Sequence, residues 1–415
     1  MIRAITPVAA LLIGTAILLT GQGLQGVLLP VRANLEGFST FGIGAIGAFY
    51  FLGFTWGCWK GSALIRRVGH VRVFAAMTAL ASASPLVHGL WVSLWSWGVL
   101  RFVSGFCFAV LYIVIESWLN EQSSDENRGT VFSAYILINM TVLAVGQQML
   151  LLYDPINLQL FAIASVLVSL AAVPVALSTS ATPKQIEDSR LDFKFAFNNS
   201  PAGMLGCLAT GMANGAFWSL GPVFIAALTK DVALAAWFLT AGVLGGAAGQ
   251  YPLGLLSDRI DRRYVLLGIA IGSAILCAII WSLAEKVSIN FVLALGFAWG
   301  ALSFPSYSIS VAHANDHANP DSYVLISSAL LLMYGIGAIV GPIVASGFMI
   351  VAGASGLYFY TALVHLLLAC YILFASLRRK SAEPGNSVEF SDALASTITT
   401  SHVYDKEGFD YSDRK

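Results

Sequence analysis

Twelve runs of about 20 mostly apolar residues, following one another along almost the whole chain, leave few folds open. A run of that length crosses the hydrocarbon core of a bilayer as a helix. Inside lipid, each backbone N–H and C=O must be satisfied within the segment or within a closed barrel. The runs are 5–31, 41–61, 71–90, 93–118, 129–152, 157–178, 202–228, 233–256, 264–283, 288–312, 322–350 and 354–377. Each boundary is placed to within a few residues, and only His88 to Val92 intervene between the third run and the fourth. Only 11% of the residues are charged and 57% are hydrophobic, whereas a soluble domain carries about 25% charged residues. The mean hydropathy is +0.78. The sequence predicts an all-α integral membrane protein with 12 transmembrane helices.

An even number of crossings puts both ends on one side, and the basic residues say which. One set of connections holds Arg3, Lys60, Arg66, Arg67, Arg72, Arg128, Lys184, Arg190, Lys194, Arg259, Arg262, Arg263 and six more in the tail, while the opposite set holds Arg32, Lys230 and Lys286. Cytoplasmic loops carry the excess of Lys and Arg, so both termini are expected in the cytoplasm and the protein in the plasma (inner) membrane. The apolar run after Arg3 exceeds the core of a signal peptide and has no clear cleavage site, so it reads as a retained first helix. The polar stretch Thr179–Ser200 falls between the sixth and seventh runs, and Arg378-Arg379-Lys380 closes the last. The tail beyond it is polar and reads as disordered.

The chain also repeats itself. A shift of 192 positions (222 − 30) pairs Pro30 with Pro222, Gly23 with Gly215, Val31 with Val223, Gly53 with Gly245, Gly57 with Gly249 and Leu64 with Leu256. It also aligns two charged stretches. The second, Gly254-Leu255-Leu256-Ser257-Asp258-Arg259-Ile260-Asp261-Arg262-Arg263, reads as a tight loop between two apolar runs. The first, Ser62 to Arg72, keeps the leucine and one arginine but has Arg66 where the second has Asp258. Read as G-x-L-x-D-R-x-x-R-R, the second stretch resembles the loop signature of the major facilitator superfamily (MFS). Arg101 with Gly105 resembles the R-x-x-x-G motif of that family's fourth helix. Glu116-Ser117-Trp118-Leu119 and Arg67-Val68-Gly69-His70-Val71-Arg72 resemble runs of its YcaD-like branch. The resemblance implies two pseudo-symmetric six-helix bundles: residues 1–178 and 201–377, joined by a cytoplasmic linker at 179–200 and followed by a cytoplasmic tail at 378–415. It implies a secondary transporter working by alternating access, with a small-molecule substrate and protons as partners.

Polar residues within the runs are the candidates for function, because burying them in lipid is costly. Arg101 serves either as a coupling residue, as in the family, or as a brace bonded to backbone carbonyls. Glu116 lies 15 residues on and shares a broad helix face with Arg101 and Tyr112. It reads either as a proton-carrying carboxylate or as a partner of Arg66, Arg67 or Arg128 at the cytoplasmic mouth. Gln22 and Gln25, with Asn214 and Trp218 in the second half, are substrate-contact candidates by the resemblance; plain interhelical hydrogen bonding is the alternative. Asn139 lies mid-depth in the fifth run, with Gln147 and Gln148 further out. Arg66, Arg67, Gly254, Asp258, Arg259 and Arg262 are the gating candidates. Gly337 to Pro342 has the G-x-x-x-G-P shape that antiporters of the family carry in the fifth helix; in the eleventh run it reads as packing. Arg32 and Glu36 read as a solvated pair, with an outer gate as the alternative, and Asn315, Asp316 and His317 as turn residues.

The five cysteines fall in apolar runs without C-x-x-C spacing, and the six histidines show no metal-ligand pattern. No Walker loop and no G-x-S-x-G elbow appears, so neither a cofactor nor an enzyme activity is expected, and an ion gradient or the solute's own gradient supplies the driving force. Zero net charge gives no hint of nucleic acid, and the chain is expected to act as a monomer. A transporter-like sensor, an uncoupled facilitator and a lipid flippase are the competing functions.

Overall fold

Within the described residues, all twelve apolar runs form helices. The computed structural model describes residues 8–123, 128–177, 192–229, 231–316, 318 and 322–378. Its helices are α1 (Ala9–Leu35), α2 (Thr40–Val68), α3 (His70–Leu90), α4 (Leu94–Glu121), α5 (Arg128–Gln148), α6 (Gln159–Leu170), α7 (Ala172–Ala176), α8 (Phe193–Asn199), α9 (Pro201–Leu228), α10 (Ala233–Arg259), α11 (Arg262–Leu283), α12 (Ile289–Ser303), α13 (Pro305–Asn315), α14 (Tyr323–Ala352) and α15 (Gly356–Arg378). Among the described residues there are twelve helical spans long and apolar enough to cross a membrane. Two of them are broken, α6 with α7 and α12 with α13, and the fifth ends in a 3-10 turn, Met149–Leu152, that follows α5. Pro174 and Pro305 explain both breaks: proline cannot donate to the carbonyl four residues back, and its ring crowds that carbonyl.

Local chemistry sets the ends. Ser39 Oγ accepts from the Gly42 N–H at the start of α2. Ser200 Oγ accepts from the Gly203 N–H, with Pro201 at the first turn of α9. The α2–α3 turn is Gly69 alone, at φ 94°, a conformation that costs glycine little. The charged stretch 254–263 is not a loop. α10 runs on through Arg259, and only Ile260 and Asp261 separate it from α11, which Asp261 caps by accepting from the Arg263 N–H. Part of the expected linker is helical too: Asp192 caps α8. Residues 179–191 and the tail beyond 378 lie outside the described residues.

Glycines hold the helices together, and they show the repeat in space. A Cβ on Gly53 would strike the Phe102 carbonyl, and one on Gly245 would strike that of Phe297. Likewise Gly105 meets the Tyr50 carbonyl and Gly300 that of Gly242, Gly23 meets Leu143 and Gly215 meets Ala338, and Gly146 meets Thr20 and Gly341 meets Met212. The first partner of each pair follows the 192 shift when it lies on α1 or α2. When it lies on α4 or α5 the shift is 195 (297 − 102). The two halves therefore pack α1 on α5 as α9 packs on α14, and α2 on α4 as α10 packs on α12. Small residues let backbones approach where lipid offers no hydrophobic drive between helices. Gly337 and Gly341 pack against the Leu208 and Met212 carbonyls of α9, in keeping with the packing reading of that motif.

The bundles meet through α2 with α14 and α5 with α10, and their contact is uneven in depth. We call the face where α1 begins the near face and its opposite the far face. One continuous apolar cluster joins the C-terminal bundle to Leu24, Leu28, Ala33, Ile43, Ile46 and Trp97, which all belong to the far half of the N-terminal bundle. In the near half the apolar core is divided, one cluster in each bundle. Phe51 touches both, and a small group of Cys58, Ala109 and Leu331 lies between them. The apolar packing between the bundles is thus continuous toward the far face and interrupted toward the near one.

Gly245→Val should lose most folded protein in fluorescence-detected size-exclusion chromatography, since overpacking costs about 1–3 kcal/mol. Gly268→Val, where nothing lies within 4 Å of the added Cβ, should behave as wild type.

Candidate functional site

Between the two bundles lies a cavity of about 500 Å³. α1, α2, α4 and α5 supply one wall, and α9, α10, α13 and α14 the other. Gln22, Gln25, Arg101, Tyr112, Glu116, Asn139, Asn214 and Trp218, spread over almost 200 positions of sequence, all line it.

On the N-terminal wall the polar groups form a chain. The Arg101 guanidinium carbon sits 4.1 Å from the centre of the Tyr50 ring, a cation–π contact. Tyr50 Oη accepts from Gln22 Nε2 at 2.8 Å, and Gln22 Oε1 accepts from Tyr112 Oη at 2.9 Å. Gln22 thus orients both tyrosines, and Tyr50 in turn covers one face of the arginine. Arg101 is the eighth residue of α4, so it sits about 10 Å from the far end rather than at the centre. The brace reading is not met. Among the described residues Arg101 donates no hydrogen bond to a backbone carbonyl, and none of the ion pairs of Arg32, Arg262 and Arg263 includes it.

Toward the near face, Glu116 is 1% exposed and accepts from Tyr135 Oη at 3.0 Å. It is a buried group in the cavity wall. The two amide atoms of Gln25 and Oδ1 of Asn139 are buried without a protein partner. On the opposite wall Asn214 accepts from Ser303 Oγ at 3.0 Å, and Trp218 stacks on Phe304 with ring centres 5.8 Å apart. Tyr307 and Tyr334 meet edge to face. Toward the far side Thr240 joins the bundles: its hydroxyl donates to Gln147 Oε1 at 2.9 Å and accepts from Gln148 Nε2 at 2.8 Å.

Sequence reasoning passed over Tyr50, Tyr135, Ser303, Tyr307, Tyr334 and Thr240. One signal was available: Tyr307 follows Tyr112 by 195 positions (307 − 112), the shift that relates α4 to its counterpart. For the others, a tyrosine or hydroxyl residue in an apolar run looks like ordinary filling.

The near-face residues form a separate centre. Arg262, 3% exposed, bridges Asp258 at 2.9 Å and Asp316 at 2.7 Å. It ties the ends of α10, α11 and α13, so Asp316 is an ion-pair residue and not merely a turn. Gly254 is buried in α10, its carbonyl accepting from Ser257. Arg66 is half-buried and Arg67 exposed in the last turn of α2, and Arg259 is exposed at the end of α10. Arg32 is also buried rather than solvated. It pairs with Glu36 and donates to the Pro155 carbonyl at 2.9 Å, holding α1 to the α5–α6 connection. Cys58, Cys107, Cys207 and Cys277 are buried, whereas Cys370 is exposed on α15.

The sequence profile of the Major Facilitator Superfamily matches residues 11–230 and 203–407. The chain belongs to the Major Facilitator Superfamily. It is 27% identical over 341 residues to the uncharacterized MFS-type transporter YcaD of Escherichia coli O17:K52:H18, covering 81% of this chain and 87% of that one. This agrees with the YcaD-like features of α2–α4. Its fold is shared with the crystal structure of the nucleoside transporter NupG (TM-score 0.75, 14% identity, 90% of this chain and 99% of that one). It is also shared with a variant of the E. coli fucose:proton symporter FucP (TM-score 0.57, 16% identity, 90% and 99%). This MFS protein is a multi-pass membrane transporter and not an enzyme.

Asp316→Asn should cost roughly 1–3 kcal/mol in detergent unfolding, because it weakens a charge-assisted bond to a buried arginine. Asp258, about one-third exposed, should cost under about 1 kcal/mol when changed to Asn.

Proposed function

We propose that this MFS protein is a secondary transporter of a small organic solute, coupled to protons and working by alternating access. The observation that carries this reading is the cavity between the bundles, with the Arg101–Tyr50–Gln22–Tyr112 chain toward one end and Glu116 toward the other. A site at the interface of two repeats can be exposed to either side when one bundle rocks against the other. The uneven core supports this, since apolar packing that is continuous in the far half and interrupted in the near half suits one of two alternating states.

The roles divide by depth. Arg101, Tyr112, Gln22, Gln25, Asn139, Asn214 and Trp218 hold the solute. Glu116, the one carboxylate among the cavity-lining residues, carries the proton, which it can exchange through the cavity. Arg66, Arg67, Gly254, Asp258, Arg259 and Arg262 act at the near-face gate. Residues 1–178 and 201–377 form the two rocking bundles, with 179–200 as linker and 378–415 as tail. By the distribution of Lys and Arg the near face is cytoplasmic in the inner membrane, so the interrupted side of the bundle interface is the inner one. One chain contains the whole pathway, so a monomer suffices. That Glu116 is the single lining carboxylate also favours a second reading, an uncoupled facilitator.

Reconstituted protein with an entrapped pH dye separates these. Wild type should move protons with the solute, and Glu116→Gln should abolish proton movement while keeping solute exchange. Solute flux with no proton movement in wild type would establish the facilitator instead. Thr240→Val removes both far-side bonds to α5, and a ligand or contact shifts a two-state equilibrium only through differences between the states. In a Cys58→Ser, Cys370→Ser background, a cysteine in place of the cavity-lining Gly26 should label faster from the far side once Thr240→Val is added; an unchanged rate would show that Thr240 does not hold the gate.

A further inference from the structure

The cavity holds one cation whose charge no described residue answers. Arg101 lies within a membrane-spanning helix, and its π face is covered by Tyr50. Among the described residues no carboxylate pairs with it and no acceptor takes a hydrogen bond from its five N–H groups. Glu116 cannot serve. It lies 15 residues along the same helix, about 22 Å away, and Tyr135 already donates to it. A charge removed from bulk water and left without a partner is costly, and the usual compensation is a partner of opposite sign.

We infer that the solute carries a carboxylate, which docks on the N–H edge of Arg101, and an aromatic body, which lies among the ring side chains of the cavity; this rests on the transport reading above. The guanidinium edge presents parallel donors that match the two oxygens of a carboxylate. Tyr50 blocks the face and is itself held by Gln22, so the edge is the side left to a ligand. Gln25 is the second, independent observation. It is 2% exposed, lines the cavity, and neither its amide N–H nor its carbonyl has a protein partner. It can donate to the carboxylate and accept from an N–H or O–H of the solute. The body follows from the apolar lining: Phe54, Phe108, Trp218, Phe304, Tyr307 and Tyr334 surround the space. Planar rings offer offset and edge contacts to an aromatic guest. A cavity of about 500 Å³ falls in the range of small-molecule sites.

The test is thermal unfolding of the purified full chain in detergent with matched probes. Benzoate, cinnamate, 1-naphthoate and indole-3-acetate are each compared with the corresponding neutral amide, and indole-3-acetate also with the cationic tryptamine. At least one carboxylate should raise the Tm saturably while its amide and tryptamine do not. Arg101→Gln should weaken that carboxylate by roughly tenfold or more and Arg101→Lys by less, because a point charge keeps attraction but loses the fork. Gln25→Leu should weaken it severalfold. The inference is overturned if no carboxylate binds, if amides bind as tightly, or if Arg101→Gln leaves affinity unchanged. Should Arg101→Gln fail to fold, the carboxylate–amide comparison on wild type decides alone. Proteoliposome counterflow keeps the two readings apart. Transport of a neutral or cationic solute only would overturn the carboxylate and leave the transporter. A carboxylate that binds through Arg101 but is never exchanged would do the reverse.

Discussion

Glycine against carbonyl is the contact on which this structure depends. In lipid no hydrophobic gain accrues from pressing one apolar helix on another, so association must come from close packing. Gly53 and Gly105 lock α2 to α4, and Gly245 and Gly300 lock α10 to α12, each glycine lying against a backbone carbonyl of its partner helix. The same device joins α1 to α5 and α9 to α14. Each bundle thus becomes a unit whose internal distances are set by backbone contact. That rigidity lets side chains on four helices of each bundle converge on one cavity.

Within that frame the polar groups fall into two kinds. Some are fully used inside the protein: Arg262 between Asp258 and Asp316, Arg32 between Glu36 and the Pro155 carbonyl, Asn214 with Ser303. Others face the cavity with capacity to spare, above all Arg101 and Gln25. The distinction matters because a buried polar group that is satisfied contributes to the scaffold, while one that is not invites a ligand. The near-face charges belong to the first kind even though their motif is the strongest signal in the sequence.

Symmetry of ancestry does not extend to chemistry. The glycine contacts repeat between halves, yet Arg101 maps by the 195 shift to Gly296, Glu116 to Val311 and Tyr50 by the 192 shift to Gly242. The N-terminal bundle therefore carries the charged groups of the cavity, and the C-terminal bundle faces it with Asn214, Trp218, Phe304, Tyr307 and Tyr334. The apolar packing between the bundles is likewise one-sided, continuous in the far half and interrupted in the near half.

The twelve spans, their pseudo-symmetry and the even crossing number were legible in the chain, because span length and apolar content answer directly to the thickness of a bilayer and to its lack of water. The candidates Arg101, Glu116, Gln22, Gln25 and Asn214 stood out for the same reason, as polar groups where lipid penalises them. What sequence could not decide was which polar groups are already answered. Tyr135 on Glu116, Tyr50 over Arg101, and Asp316 on Arg262 are partners 19, 51 and 54 positions away. Such pairings follow from how helices are turned and stacked, and no run of residues records that. The sequence by itself determined a membrane-spanning duplicated bundle; the tertiary structure alone decided the partners, the cavity and the uneven bundle interface, since those depend on distances between helices that only packing sets.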